Sequence, residues 1–306
     1  MGVLAIDFGG TRTRTAWYNA DLEQQARDET PSLVNQPAES VIRRIIETAR
    51  RVVPSGAVIE AIGISAPGPL DSRTGIIRHA KTLPGWRNVP LASIISEALG
   101  APAWMENDAN LAALAEYHLG AGRGCDPAVY LTLSTGMGGG AVVGGRLFTG
   151  WSGLAIEPGH MRFTLADGSV RRLEELASGT AIGQRARERL AQASASSSLR
   201  DVPEITGQAV GQAALNGDPL ALEVVREAGF WLGLGMVNLL HLLSPQVIIV
   251  GGSASLLGDL LFDPARTTIE AHVLDPAFIP PALIRPAALG DDVCLVGAAA
   301  FALQTL

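Results

Sequence analysis

The chain has 306 residues, 47% of them hydrophobic and 17% charged, so it is long enough to bury a large core and, at roughly 100 to 200 residues per domain, predicts two domains. With 23 basic and 30 acidic residues its net charge is -7, which argues against a surface for nucleic acid or an anionic membrane. Its two cysteines are too few for a disulfide framework or a cysteine-based zinc site, and they suit a reducing cytoplasm.

The chain opens with a strand, a tight glycine turn and a second strand. Residues 3–8 are mostly apolar, Gly9-Gly10-Thr11 supplies the turn, and residues 13–18 resume an extended pattern. The same pattern returns at residues 129–148, again around a glycine-rich turn. The repetition predicts an internal duplication and two similar lobes; a chance resemblance of glycine-rich hairpins is the alternative.

A strand also leads directly into a helix near residue 107. Apolar residues at helical spacing predict helices over 38–53, 91–99 and 111–117, and a strand over 58–65. Asn107 and Asp108 lie where a further short strand meets the third of these helices. The simplest interpretation of Asp108 is a helix N-cap.

The second half of the chain is mainly helical in pattern. We predict helices over 173–177, 181–192, 206–215, 218–243 and 293–303. No formal charge occurs between Gly229 and Gly258, but the break at residues 244–246 favours a buried helix followed by a strand over a membrane span. The opening apolar run is too short, and lacks a basic lead, for a signal peptide, so we expect a cytoplasmic protein.

Residues 136–141 satisfy the dinucleotide-binding pattern Gly-x-Gly-x-x-Ala, and Glu157 follows at a suitable spacing. That motif must open a helix, because the pyrophosphate lies on the helix N-terminus. Here the residues after the glycines continue as a hairpin. The context therefore argues against a dinucleotide site.

The two glycine turns predict a phosphate clamp. Small residues at Gly9 and Gly10, and at Gly136, let backbone N–H groups approach an anion. Thr11 and Thr135 add hydroxyl donors. Each turn alone is weak, because many strand connections need glycine, but two of them in repeated patterns favour nucleotide binding.

Other residues agree with this prediction. Lys81 is the only lysine, and no Gly-x-x-x-x-Gly-Lys-Ser/Thr loop is present, so phosphate must be held by backbone groups, hydroxyls, arginine or a metal ion. Asp7 lies close to the first turn and would repel phosphates unless a cation intervenes, which implies Mg²⁺. A third strand-to-glycine turn occurs at Gly251-Gly252.

Six motifs in chain order resemble those of the ROK family of bacterial sugar kinases and sugar-responsive repressors. They are Asp7-Phe8-Gly9-Gly10-Thr11, Ala66-Pro67-Gly68-Pro69-Leu70-Asp71, Glu106-Asn107-Asp108-Ala109-Asn110, Ser134-Thr135-Gly136-Met137-Gly138-Gly139-Gly140, Glu157-Pro158-Gly159-His160 and Val250-Gly251-Gly252. The segment 83–91 also resembles the glucokinase branch. The resemblance implies an actin-like (ribonuclease H-like) α/β fold, duplicated into two lobes with an interlobe cleft. We expect a small N-terminal lobe of residues 1–115 and 291–306 and a large lobe of residues 116–290.

The resemblance also implies roles for individual residues. Asp108 matches the catalytic base that takes a proton from the sugar hydroxyl. Residues matching those that hydrogen-bond the sugar are Asn107, Asp108, Glu157, His160 and Glu174. Residues matching the phosphate turns are Gly9, Gly10, Thr11, Thr135 and Gly136, and Gly251 with Gly252 matches the adenosine-side turn.

The implied activity is ATP- and Mg²⁺-dependent phosphorylation of a hexose, with glucose to glucose 6-phosphate first. Kinases for fructose, mannose or N-acetylmannosamine are alternatives, as is a catalytically silent sugar sensor. Polyphosphate as a replacement for ATP is left open. The implied partners are a small-molecule sugar and ATP, without nucleic acid or membrane, and the implied assembly is a homodimer.

Three departures from the family pattern matter. The first strand begins at Val3, which leaves no room before it for a helix-turn-helix domain. Residues 161–172 contain no cysteine, so we expect no zinc site here. We expect a hairpin that turns at Asp167-Gly168 in its place. His160 would then be available to bind the sugar, and a purely structural role for this histidine is the alternative. Thr82 stands where the family often has asparagine, which leaves the identity of the sugar open.

Overall fold

The computed structural model describes residues 2–80, 82–192 and 196–306, so Lys81 lies outside the described residues. The strands are β1 (Gly2–Phe8), β2 (Arg12–Asn19), β3 (Gln24–Pro31), β4 (Ala61–Ala66), β5 (Leu70–Asp71), β6 (Ile76–Ile77), β7 (Ala103–Asn107), β8 (Ala128–Leu133), β9 (Met137–Val143), β10 (Arg146–Leu147), β11 (Arg162–Thr164), β12 (Val170–Arg172), β13 (Val247–Gly251) and β14 (Ile284–Pro286). The α-helices are α1 (Ala38–Val52), α2 (Leu91–Leu99), α3 (Asp108–Leu119), α4 (Glu174–Ala177), α5 (Gly179–Gln192), α6 (Gly207–Leu215), α7 (Pro219–Leu243), α8 (Asp259–His272) and α9 (Val293–Thr305).

The first compact unit consists of Met1–Arg123, Thr149–Ala155 and Ala288–Leu306. Its sheet has the order β3-β2-β1-β4-β7, in which the first three strands are antiparallel and β1, β4 and β7 are parallel. Successive side chains of β1 point to opposite faces. Leu4 and Ile6 pack with α1 and α2, whereas Val3 and Ala5 pack with α9, so both faces of the sheet are buried.

The second compact unit consists of Gly124–Phe148 and Ile156–Ala287. Its sheet order, β10-β9-β8-β13-β14, repeats the first one, with an antiparallel meander followed by two parallel strands. The predicted duplication is therefore confirmed at the level of topology. A single core of aliphatic residues joins this sheet to α5, α6, α7 and α8.

Most predicted elements lie where the pattern placed them. Gly138 to Ala141 belong to β9, which pairs antiparallel with β8, so the hairpin interpretation of the glycine motif is confirmed and the dinucleotide interpretation is wrong. The uncharged run forms the end of α7 and then β13. Within the described ranges, no helix is long and apolar enough to cross a membrane.

The unit boundaries differ from the predicted lobes in three places. The first unit includes residues 116–123, 149–155 and 288–290, which were predicted in the large lobe. The first difference arises because α3 is continuous to Leu119 and packs against α9 of the same unit.

Glu116 is a buried carboxylate in α3, with 0% of its surface exposed. It accepts three backbone N–H bonds, from Ala121 at 2.8 Å, Ala288 at 2.8 Å and Leu289 at 3.0 Å. Residues 288 and 289 lead into α9. One side chain therefore fixes the end of α3 to the segment that positions the C-terminal helix.

We expect Glu116→Ala to reduce the free energy of unfolding by about 2 to 4 kcal/mol, because three buried donors lose a charged acceptor. Urea denaturation monitored by circular dichroism measures the change. Glu47→Ala, on the exposed side of α1, is the matched control and should change stability by less than about 0.5 kcal/mol. Equal effects of the two substitutions would contradict the structural role of Glu116.

Candidate active site

The junction of β7 and α3 lies at the carboxyl end of the first sheet. Asn107 is the N-cap of α3, because its side-chain oxygen accepts the Asn110 N–H at 2.7 Å. Asp108 is the first helical residue, and its Oδ1 accepts the N–H of Ala109 at 2.8 Å. The N-cap interpretation of Asp108 is therefore wrong. The cap belongs to its neighbour, and Asp108 is solvent-accessible.

Glu106 stabilises this junction from a buried position on the protein side. It is only 1% exposed, and its Oε1 accepts the Asn107 N–H at 2.8 Å and the Asn110 Nδ2–H at 3.2 Å. The hydroxyl of Ser72 also lies beside this carboxylate. Burial raises the pKa of Glu106, and these bonds oppose the rise. The network fixes the backbone on both sides of Asp108.

Asp7 lies in the same region, at the end of β1. The register pairs Asp7 with Ser65 and Ser65 with Glu106, so the carboxyl ends of three parallel strands meet there. Asp7 is 7% exposed, and its Oδ2 lies 3.3 Å from Nε of Arg14. Burial raises the pKa of Asp7, Arg14 lowers it, and the nearby charge of Asp108 raises it. The protein around Asp108 removes part of the hydration of its carboxylate and so raises its pKa, and the bond from the Ala109 N–H opposes this rise.

This pair of carboxylates fits a divalent cation. Asp7 and Asp108 repel each other electrostatically, and Arg14 offsets only part of their charge. Mg²⁺ takes oxygen ligands and is usually held by one or two carboxylates together with water and substrate phosphates. Among the described residues, no group of three or more His, Cys, Asp or Glu is arranged to hold a metal by itself. Two carboxylates of this kind can hold Mg²⁺ only together with water or phosphate oxygens.

The turn between β1 and β2 contains the first predicted phosphate site. The Gly9 N–H bonds to the carbonyl of Arg12 at 3.0 Å, which closes the turn. In the described part of the chain, the N–H groups of Gly10 and Thr11 have no backbone acceptor. A Cβ at Gly10 would lie 3.3 Å from Cβ of Thr82, so glycine keeps this approach open. The turn presents Gly10 and Thr11 as anion donors.

The corresponding turns of the second unit lie side by side. The Ser134 N–H bonds to the carbonyl of Gly136 at 3.0 Å, and Thr135 is exposed at the turn. β13 is parallel to β8 and pairs Gly251 with Thr132. Gly252 has φ +84°, and a Cβ there would lie 2.4 Å from the carbonyl oxygen of Leu133, so only glycine fits.

A cavity of about 710 Å³ adjoins these turns. Ser134 and Thr135 line one side, and the rest is lined by residues of α5, of α6 and the segment before it, and of the turn after Gly252. The absence of a side chain at Gly183 lets α5 and α6 approach closely, since a Cβ there would lie only 2.9 Å from the Gly207 nitrogen. The volume of the cavity is in the range of small-molecule sites. This cavity was not predicted from the sequence, although glycines four residues apart in both helices were the available signal.

The predicted sugar ligands Glu157, His160 and Glu174 all lie in the second unit. Glu157 and His160 are exposed at the ends of a 3-10 turn, which packs so closely on β9 that a Cβ at Gly159 would lie 2.2 Å from the Met137 carbonyl oxygen. Glu174 begins α4, where its Oε1 lies 2.6 Å from Arg172. A Cβ at Gly136 would lie 3.3 Å from its Oε2, so the structure brings Glu174 to the second phosphate turn.

The predicted hairpin after His160 is confirmed. β11 and β12 pair antiparallel, and the Gly168 N–H bonds to the carbonyl of Leu165 at the Asp167-Gly168 turn. The ring of Phe163 lies 5.8 Å from that of Trp231 in α7, so side-chain packing anchors the hairpin. The first unit thus holds Asp7, Gly9, Gly10, Thr11, Asn107 and Asp108, and the second unit holds the other predicted site residues.

Two α/β units of the same topology, with glycine turns at the strand ends, define an actin-like ATPase fold of the sugar-kinase class. The chain belongs to the ROK family, whose model matches residues 3–305. It is similar to the glucokinase of Thermotoga maritima, with 34% identity over 98% of this chain and 96% of that protein.

Solved structures of ROK sugar kinases are also similar to this chain. A ROK hexokinase from Thermus thermophilus has a TM-score of 0.84 and 32% identity, over 100% of this chain and 99% of that one. A ROK family glucokinase from Streptomyces griseus, in complex with glucose and AMPPNP, has a TM-score of 0.77 and 33% identity, over 99% and 100%.

Proposed function

We propose that the chain catalyses ATP-dependent phosphorylation of glucose to glucose 6-phosphate. The observation that carries the proposal is the β7–α3 junction, where Asn107 caps the helix and Asp108 keeps a solvent-accessible carboxylate of raised pKa. Similarity over nearly the whole chain to glucokinases supports the same activity. A catalytic base needs both a fixed position and a pKa moved toward the working pH, and Asp108 has these properties.

Each predicted residue has a role in this proposal. Asp108 accepts the proton of the attacking sugar hydroxyl, and the Glu106 network holds it at the position from which it reacts. Phosphoryl transfer depends mainly on alignment and charge stabilisation, so a rigid strand-to-helix junction suits the base. Sugar hydroxyls are hydrogen-bonded by Asn107, Glu157, His160 and Glu174.

The donor nucleotide is assigned to the glycine turns. Backbone N–H groups and hydroxyls of Gly9-Gly10-Thr11 and Thr135-Gly136 hold its phosphates, as suits a chain with one lysine. The cavity beside Gly251-Gly252 has the size for its adenosine. Mg²⁺, held through Asp7 directly or by water, would neutralise phosphate charge when bound. A homodimer remains a prediction of the family resemblance, and a cytoplasmic location remains a prediction from the two cysteines and the opening residues.

The activity is tested with Asp108→Asn in a coupled assay for ADP release over glucose, fructose, mannose and N-acetylmannosamine. We expect the wild type to use glucose best, and the variant to lose about 10² to 10⁴ fold in turnover, because an amide cannot accept the proton. Calorimetry should show that the variant still binds glucose.

Thermal unfolding is the control for Asp108→Asn. Since Asn107 supplies the cap, the variant should lose no more than about 1 kcal/mol from the helix N-terminus. Near wild-type turnover would show that Asp108 is not the base. A wild type that binds glucose but releases no ADP would favour the silent sensor, and a preference for another hexose would reassign the substrate.

The raised pKa of Asp108 predicts an acid limb in the pH profile. The base works only when ionised, so kcat/KM should be constant above the pKa of Asp108 and should fall as the pH drops through it, with a midpoint above the usual aspartate range. Initial rates across pH measure the limb. Glu106→Gln should retain it and the residual activity of Asp108→Asn should lack it; a limb that survives in Asp108→Asn would contradict the assignment.

We also propose that the chain needs no zinc. Side-chain packing of the β11–β12 hairpin already fixes the segment between His160 and Glu174. Elemental analysis of the purified protein should show no stoichiometric zinc. Activity should survive a strong zinc chelator once Mg²⁺ is restored. One tightly bound zinc per chain would overturn this proposal.

A further inference from the structure

Trp151 is the most exposed large apolar side chain among the described residues, at 91% exposure. Trp17 and Trp86, by contrast, are buried in the core of the same unit. An isolated leucine at the surface needs no explanation, but an aromatic ring with almost no protein contact adds nothing to folding. Its neighbour Leu154 is also exposed, at 54%, so the segment presents two apolar side chains to solvent.

The backbone of this segment turns back on itself. It forms a closed loop in which the Ala155 N–H bonds to the carbonyl of Thr149 at 3.1 Å. Gly150 and Gly153 have φ values of +64° and +76°, which glycine adopts without strain. Between these glycines, Nη1 of Arg73 donates a hydrogen bond to the backbone carbonyl of Trp151 at 3.4 Å, which fixes the main chain at this residue.

The loop is attached to the proposed acceptor site through few residues. A Cβ at Gly153 would lie 3.1 Å from Oγ of Ser72, so the loop rests directly on that hydroxyl. Ser72 lies beside the carboxylate of Glu106, whose pKa it lowers. Glu106 in turn bonds to the N–H of Asn107, next to Asp108. All of these residues belong to the first unit.

We propose that Trp151 is a stacking platform for the ring of the acceptor sugar and determines the preference for pyranoses. This inference rests on the proposed function. A pyranose combines hydroxyl groups at its rim with a face of C–H bonds, and the electron-rich face of an aromatic ring attracts those hydrogens while removing apolar surface from water. The carboxylates and amides of the site serve the hydroxyls, and Trp151 supplies the apolar surface that they lack.

Kinetics provide the first test, with Trp151→Ala, Trp151→Phe and, as a control in the same loop, Leu154→Ala. Trp151→Ala should raise KM for glucose about 5- to 10-fold, the effect of one aromatic contact, and change kcat by less than about twofold. Trp151→Phe should keep KM within about twofold, because a ring remains. Leu154→Ala should behave as wild type.

Fluorescence provides the second test and needs no turnover. Glucose, without ATP, should reduce acrylamide quenching of the wild type but not of Trp151→Phe, since the other tryptophans are the same in both. Sorbitol, which carries hydroxyls but no ring, should not protect Trp151. Protection by glucose without ADP release would leave the stacking proposal standing and remove the kinase assignment.

Two outcomes would overturn the inference. One is glucose phosphorylation with KM unchanged in Trp151→Ala and no protection by glucose. The other is quenching that depends on protein concentration and not on glucose, which would assign Trp151 to a contact between copies of the chain.

Discussion

The hydrogen bond from the Asn110 N–H to the side chain of Asn107 is the interaction on which the proposed chemistry depends. A helix N-terminus must be capped, and adjacent asparagine and aspartate side chains are equally suited to cap it. Because Asn107 takes the cap, Asp108 is the residue left available to a substrate. Glu106 stabilises this choice by bonding to both asparagines from a buried position. The unfavourable free energy of burying the Glu106 carboxylate is thus offset by hydrogen bonds that also fix the position of the proposed base.

The same end of the sheet concentrates negative charge. Asp7 and Asp108 interact unfavourably, and Arg14 is engaged by Asp7 and also by the start of α9 through Asp292. Parallel strands bring their carboxyl ends to one edge, so this accumulation follows from the topology. A site of this charge disfavours phosphate unless a cation accompanies it. The proposed dependence on Mg²⁺ would ensure that the nucleotide enters as its metal complex.

Local patterns predicted most of the fold, because strand and helix periodicity is written in short stretches. Residues 91–99 were predicted as a helix and form α2 with the same bounds. Helix α8 was not assigned; Pro264 lies inside it and interrupts the usual helix signal. The choice of Asn107 over Asp108 as cap depends on the pairing of β7 with β4, and the cavity depends on the contact of Gly183 with Gly207. Such long-range contacts cannot be read from local sequence.

The proposed donor and acceptor regions are built from different kinds of groups. The donor turns use backbone N–H groups and glycines such as Gly252, whose position no side chain can share. A substitution at such a glycine would disturb the backbone of the turn itself and not only the choice of ligand. The proposed acceptor region uses exposed side chains, of which Trp151 is an example. Substitution at such positions alters contacts with the sugar while the sheet and the turns stay intact. Sugar preference in this architecture can therefore change without loss of the phosphate-binding frame.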